Sequence, residues 1–128
     1  MKVKTVTLVG EALDWAVAVC TGLRPKLDEE VFGQVNLGWW VSTTHYFPLP
    51  AYSTDWGQGG GILSRERISR TIDHSGLWVA YWAEGYVEGD AGKKWMQCDR
   101  SELVAGMRCY VASKLGDEVE IPDELLKT

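Results

Sequence analysis

Cysteine is scarce in this chain, and Cys20, Cys98 and Cys109 are odd in number with no C-x-x-C spacing. Neither a disulfide framework nor a zinc knuckle is indicated. Cys20 and Cys109 fall in helix-like segments, where a reduced cysteine is a small core residue, so a reducing compartment is expected. Histidine is scarcer still. His45 and His74 have no cysteine, serine or ligand companion at motif spacing, which leaves no named nucleophile, base, metal set or cofactor. No apolar run approaches the roughly 18 residues needed to span a bilayer, and the amino terminus lacks a basic lead into an apolar signal core. The expected address is the cytoplasm, away from the membrane. Positive charge is also in deficit, and a formal charge of -5 argues against holding duplex nucleic acid across the whole surface. A local basic patch can still hold a small anion.

What is present is a chain of 128 residues, 45% hydrophobic and 24% charged, most economically one domain over 1–128 with a continuous core. Seven tryptophans are the compositional outlier. Each ring is either buried or used in recognition.

The opening "MKVKTV" alternates as a short strand. Thr7 is placed to cap a helix through "LVGEALDWAVAVCT", closed by Gly22. At about 100° per residue, Leu8, Val9, Ala12, Leu13, Ala16 and Val19 share one face, Glu11, Asp14 and Ala18 lie on the other, and Trp15 sits at the border. "LRPKLDEEVFGQVNLG" reads as a surface connection, and "WWVSTTHYF" as a β-prone run ended by "PLP". "LWVAYWAE" alternates with both faces apolar, as a central strand covered on both sides does. After the turn-rich "GYVEGDAGKKWMQ", Asp99 and Glu102 form a D-x-x-E capping pattern for a helix through "RSELVAGMRCYVASKL", ended by Gly116. Its stripe of Leu103, Val104, Met107, Val111 and Leu115 adjoins a small-residue face of Ala105, Gly106, Cys109, Ala112 and Ser113. This helix is expected to be the buried spine. The acidic tail "DEVEIPDELLKT", interrupted by Pro122, is expected to lie extended on the surface.

Between the β-prone runs stands "YSTDWGQGGG", followed by "ILSRERIS". Glycines before a helix aim several backbone N–H groups at one anion, with the helix dipole behind them. Arg65, Arg67 and Arg70 supply forked donors for phosphate or carboxylate. Tyr52 and Trp56 can stack on a flat ring, while Asp55 and Gln58 offer groups that read ribose hydroxyls or base edges, with Thr54, Gly59 and Gly60 as the other members of the site. These are the parts of a nucleotide pocket, to which Trp15 could add a stacking wall. The bland alternative is a tight glycine loop with ordinary surface charge pairs. Arg108, at the edge of the last helix's apolar stripe, needs a partner: Asp14 or Asp55 structurally, or a ligand phosphate.

"AYSTDWGQGGGILSRERIS" and "AGMRCYVASKLGDEVEIPDEL", with the opening "MKVKT" and "ALDWAVAVCTG", resemble the NinX-like family of small proteins of tailed bacteriophages and prophages, a family of unknown function. The resemblance implies a phage source, a host-cytoplasmic setting and a place among early-region accessory genes. It implies no catalytic residue. The family pattern favours proline after the paired glycines, where this chain has Gly61.

These observations lead to an α+β fold, with a small, mainly antiparallel sheet around "WWVSTTHYF" and "LWVAYWAE" packed against an N-terminal and a C-terminal helix, and one short helix after the glycine loop. The functional expectation is a non-enzymatic binder of a small nucleotide-like ligand, built on 52–61, the arginines that follow, Trp15 and Arg108. Sequestering a host immune-signalling nucleotide is a role such a pocket can fill. The alternative is a module that binds a host or phage protein through exposed tryptophans such as Trp39, Trp40 or Trp95. A nucleotide hydrolase using Asp55, Glu66 and Asp73 is the third reading. The two-faced strand and small helix face leave room for homo-oligomerisation.

Overall fold

The structure, a computed structural model, describes residues 1–27, 39–42, 47–85 and 89–126. Along the chain run β1 (Lys2–Lys4), a 3-10 turn (Thr5–Thr7), α1 (Gly10–Cys20), β2 (Lys26–Leu27), β3 (Trp39–Ser42), β4 (Phe47–Pro48) and α2 (Trp56–Arg65). There follow β5 (Ser69–Ile72), β6 (Trp78–Trp82), β7 (Lys94–Asp99), α3 (Glu102–Leu115), β8 (Glu118–Glu120) and a second 3-10 turn (Asp123–Leu125). The fold is α+β. The strands pair antiparallel in three small sheets, ordered β1-β8, β2-β3-β4 and β5-β6-β7. The two β-prone runs expected to share one sheet therefore lie in different ones. The first folds back on itself, with Trp40 opposite Pro48 and Ser42 opposite Phe47, so its partners are its own neighbours. His45, the side chains of Trp39 and Trp40, and most of the connection after Pro25 lie outside the described residues.

α3 is the spine, as its small-residue face requires. From Leu103 to Ala112 every residue but Val104 is buried, and the helix packs on α1, α2, β6 and β7. Its cap is Ser101, whose hydroxyl accepts from the Val104 amide at 3.2 Å. Asp99 stands too early to cap the helix directly and instead accepts from the Ser101 amide at 2.8 Å, holding the cap in place. Gly116 closes the helix at a left-handed φ of 89°. On β6, Ala80 faces the core under α3, while Val79 lies on the outer face between the exposed Thr71 and Cys98, so among the described residues a helix covers the strand on one face only.

α1 starts later than expected, because the 3-10 turn uses up Thr5–Thr7 and the Thr7 hydroxyl donates back to the Lys4 carbonyl at 2.7 Å. No side chain caps its first turn. Its end is a Schellman closure: the Leu23 amide donates to Ala18 O and the Gly22 amide to Val19 O, each at 3.0 Å. The assigned faces shift as well. Asp14 and Ala18 are buried and Val9 is exposed, because the helix is covered by α3 on one side and by the turn at Tyr52–Ser53 on another.

The largest departure is α2. The glycines are not a loop before the helix; they are its first two turns, and the helix ends at Arg65. Asp55 is the cap, accepting from the Gly57 amide at 2.8 Å. The Gln58 side chain reaches back to accept from the Ala51 amide. Four glycines in ten residues cost the helix about 1 kcal/mol each relative to alanine, so it depends on tertiary contact. Gly59 is the point of contact: a Cβ there would fall 2.2 Å from the Tyr52 carbonyl oxygen. Across the helix pair, a Cβ on Gly106 of α3 would stand 2.5 Å from Leu63 Cδ2.

Gly59→Ala and Gly106→Ala are accordingly expected to destabilise the fold by about 1–3 kcal/mol through overpacking, despite alanine's higher helix propensity. Gly59→Ala should be the worse of the two, since it meets backbone rather than a side-chain tip. Urea denaturation of both variants measures the order.

Candidate functional site

On α2, Gly59, Ile62 and Leu63 point inward. At about 100° per residue, the opposite side is centred on Gly57, Gly61 and Ser64, all exposed. Trp56 flanks this strip on one side, 49% exposed, its ring lying over Gly60, where a Cβ would be 3.1 Å from the ring. Arg65 flanks it on the other, its side chain 60% exposed and 3.8 Å from Glu66. Among the described residues, a Cβ on Gly61 would meet nothing within 4 Å. The result is a strip of bare helix between an aromatic wall and a guanidinium.

The other residues of the expected pocket are distributed differently. Tyr52 is a core side chain, Thr54 is exposed, and Gly59 is buried against the turn. Asp55 and Gln58 spend polar atoms on the entry to α2. The carboxylate of Asp55 sits where an anion at the helix N-terminus would sit, which moves any anion contact toward Arg65. Arg67 is exposed in the following turn at a left-handed φ of 55°. Arg70 turns away, its Nε donating to Glu102 Oε1 at 3.0 Å and its Nη1 to Ile68 O at 2.8 Å. Trp15 lies against β8, beside Val119 and Glu120.

Arg108 is interior, 6% exposed. Its partner is neither Asp14 nor Asp55. Nε donates to Leu8 O at 2.7 Å, and Nη1 donates to Cys98 O at 3.1 Å and Asp99 Oδ1 at 3.2 Å. Asp14 is committed elsewhere, its Oδ1 accepting from the Ser53 amide at 2.7 Å. Burial pushes the Asp14 carboxyl above the ordinary aspartate range, against the pull of its hydrogen bonds from Ser53. Burial also pushes the Cys20 and Cys109 thiols up to about 12, which keeps both protonated and unreactive at neutral pH.

Sequence reasoning missed a second concavity on the outer face of the β5-β6-β7 sheet. Its floor is the cross-strand row Thr71, Val79 and Cys98, and with His74, Lys93 and Met96 it encloses about 410 Å³. The Lys93 ammonium lies 4.5 Å from the Tyr81 ring centroid and 3.8 Å from Asp90. Asp73 on the rim is held below the usual carboxylate range by the Ser75 hydroxyl and the Leu77 amide. Opposite charges share that rim, so it favours neither sign of ion. The strand alternation carried the floor; Asp73 and His74 at the rim were singled out in the sequence, but no local pattern joined them to Lys93 and Asp90.

Residues 4–114 match the family model described as Bacteriophage P22, NinX. The chain belongs to that family. The matched segment contains α1, α2, the β5-β6-β7 sheet and nearly all of α3, so the α2 strip lies within the NinX region while β8 lies outside it. No curated protein matches the chain. Family membership makes this a phage accessory protein. Among the described residues, no helix is long and apolar enough to cross a membrane.

Two expectations test these assignments. Arg108→Ala should cost about 3–5 kcal/mol in chemical denaturation, because it strips a buried carboxylate and two carbonyls of their donor. For Asp14, a folded pKa above the unfolded value of 3.8 means that the native state binds the extra proton between the two. Its contribution to stability is therefore absent at neutral pH and gained as pH falls through the raised folded pKa toward the ordinary value. Asp14→Asn should remove that gain, so the stability difference between variant and parent should change across this window and be flat above it.

Proposed function

We propose that this phage accessory protein acts by binding rather than by catalysis, and that the outward strip of α2 receives a small nucleotide-like ligand. One observation carries the reading: an exposed glycine in mid-helix weakens the helix by about 1 kcal/mol, and among the described residues Gly61 has no neighbour that requires its small size. Bare backbone lets a ligand come within van der Waals distance of the helix. Trp56 supplies a face for a base to stack on, and Arg65 a forked donor for a phosphate. A ligand held this way is removed from its receptor with no bond broken, which suits capture of a host immune-signalling nucleotide by a protein made early in infection.

A second reading has its own observation. Trp95 is 41% exposed and held at a left-handed φ of 56°, beside the break in register between Ala80 and Trp82. Its ring centroid lies 5.7 Å from that of Trp82. An exposed aromatic pair on a strained backbone favours contact with a partner protein.

Native mass spectrometry of the protein from phage-infected cells, followed by denaturation, is expected to release one nucleotide per chain. Trp56→Ala and Arg65→Ala should each abolish that binding and leave the fold intact by circular dichroism, since neither side chain is part of the core. Gly61→Leu separates the two roles of the strip: helix stability should rise by about 0.5–1 kcal/mol while ligand binding is lost. Unchanged affinity in all three variants would exclude this site.

A further inference from the structure

The β1-β8 ladder has a free side. The Thr5 amide donates to Asp117 O at 2.8 Å and the Ile121 amide to Met1 O at 3.0 Å. With Val3 opposite Val119, the antiparallel alternation makes 117, 119 and 121 the residues that bond to β1. The N–H and C=O groups of Glu118 and Glu120 therefore point to the opposite edge. No strand lies there among the described residues.

That edge opens on a groove. Trp15 and Val19 of α1 and the exposed Leu115 form its apolar wall, enclosing about 220 Å³ against β8, and a neighbouring hollow of about 410 Å³ continues past Trp15 along Ile121 and Pro122. The Trp15 indole N–H is buried without an acceptor among the described residues. Side chains of an added strand alternate between the groove and the outer face, where Glu118 and Glu120 already stand opposite Lys4 and Lys2 of β1.

Charge selects the occupant. A second copy pairing antiparallel through the same edge would set Glu118 against Glu120 of its mate, and like charges directly opposite are destabilising. A lysine or arginine in that row instead extends the order of basic, acidic, basic across the sheet. We propose that the β8 edge takes up an extended segment of a partner protein in which basic residues alternate with apolar ones, by strand addition. The apolar residues enter the groove beside Trp15, and the basic residues flank Glu118 and Glu120.

The probe is a synthetic heptapeptide of alternating lysine and valine, compared with the same peptide carrying glutamate for lysine. In the free protein the Glu118 and Glu120 amides should exchange freely with solvent while Val119 and Ile121 are protected. The lysine peptide should slow exchange at Glu118 and Glu120 by about tenfold or more and shift the Trp15 indole N–H resonance; the glutamate peptide should do neither. In the Glu118→Gln/Glu120→Gln variant the preference for the lysine peptide should fall several-fold. The proposal is overturned by Glu118 and Glu120 amides already protected in dilute free protein, by equal binding of the two peptides to the parent, or by no response to the lysine peptide. Protection that grows with protein concentration alone would make the occupant a second copy and overturn it too.

Discussion

The buried guanidinium of Arg108 is the constraint on which the arrangement rests. An arginine cannot lose its charge, so once it is placed in the middle of α3 the surrounding chain must supply acceptors. Three come from other elements: the carbonyl of Leu8 before α1, the carbonyl of Cys98 near the end of β7, and the carboxylate of Asp99. α1 has no side-chain cap, so the Leu8 carbonyl's contact with Arg108 adds a tertiary tie to the local one, in which the Leu8 amide donates to Thr5 O at 3.1 Å. Asp99 passes the constraint on, because its other oxygen holds the amide of Ser101, the residue that caps α3. One side chain thus sets the approach to α1, the close of β7 and the start of its own helix.

α2 hangs on this frame by shape rather than by propensity. Gly59 lets the helix lie against the Tyr52 carbonyl, and Gly106 lets Leu63 lie against α3. Asp55 and Gln58 satisfy the entry. Gly59 has an internal duty, Gly57 takes the Asp55 cap, and a Cβ on Gly61, on the outward side of the same turns, would meet no other described residue.

α3 and β6 were legible in the sequence because their patterns are redundant: many residues repeat the same period, and burial follows it. α2 was not, because glycine is read as a breaker from local cost alone, while the compensating contacts to Tyr52 and α3 are distant in sequence. Asp14 was assigned outward for the same reason. Its polarity was visible, but the Ser53 amide that receives it lies 39 residues away. The need of Arg108 for a partner could be read from its place beside an apolar stripe. Which partner answers depends on how β7 meets α3, and no local pattern carries that. At the candidate site, Trp56 and Arg65 were singled out by residue type alone, and their exposure and their relation to each other became definite only with a helix, in place of a loop, between them.

Charge divides the two unpaired surfaces. The α2 strip is bordered by Arg65, with Arg67 exposed in the turn beyond, whereas the chain from Asp117 to Glu124 carries five acids and no base. At physiological ionic strength fields fade over about 8 Å, so each surface meets its neighbourhood's charge and not the net charge of -5. An anion drawn to the first is repelled by the second. A basic segment drawn to the second gains nothing at Arg65. The two proposed sites therefore call for ligands of opposite charge, and α1 and α3, tied together through the Leu8 contact of Arg108, pack between the elements that carry them.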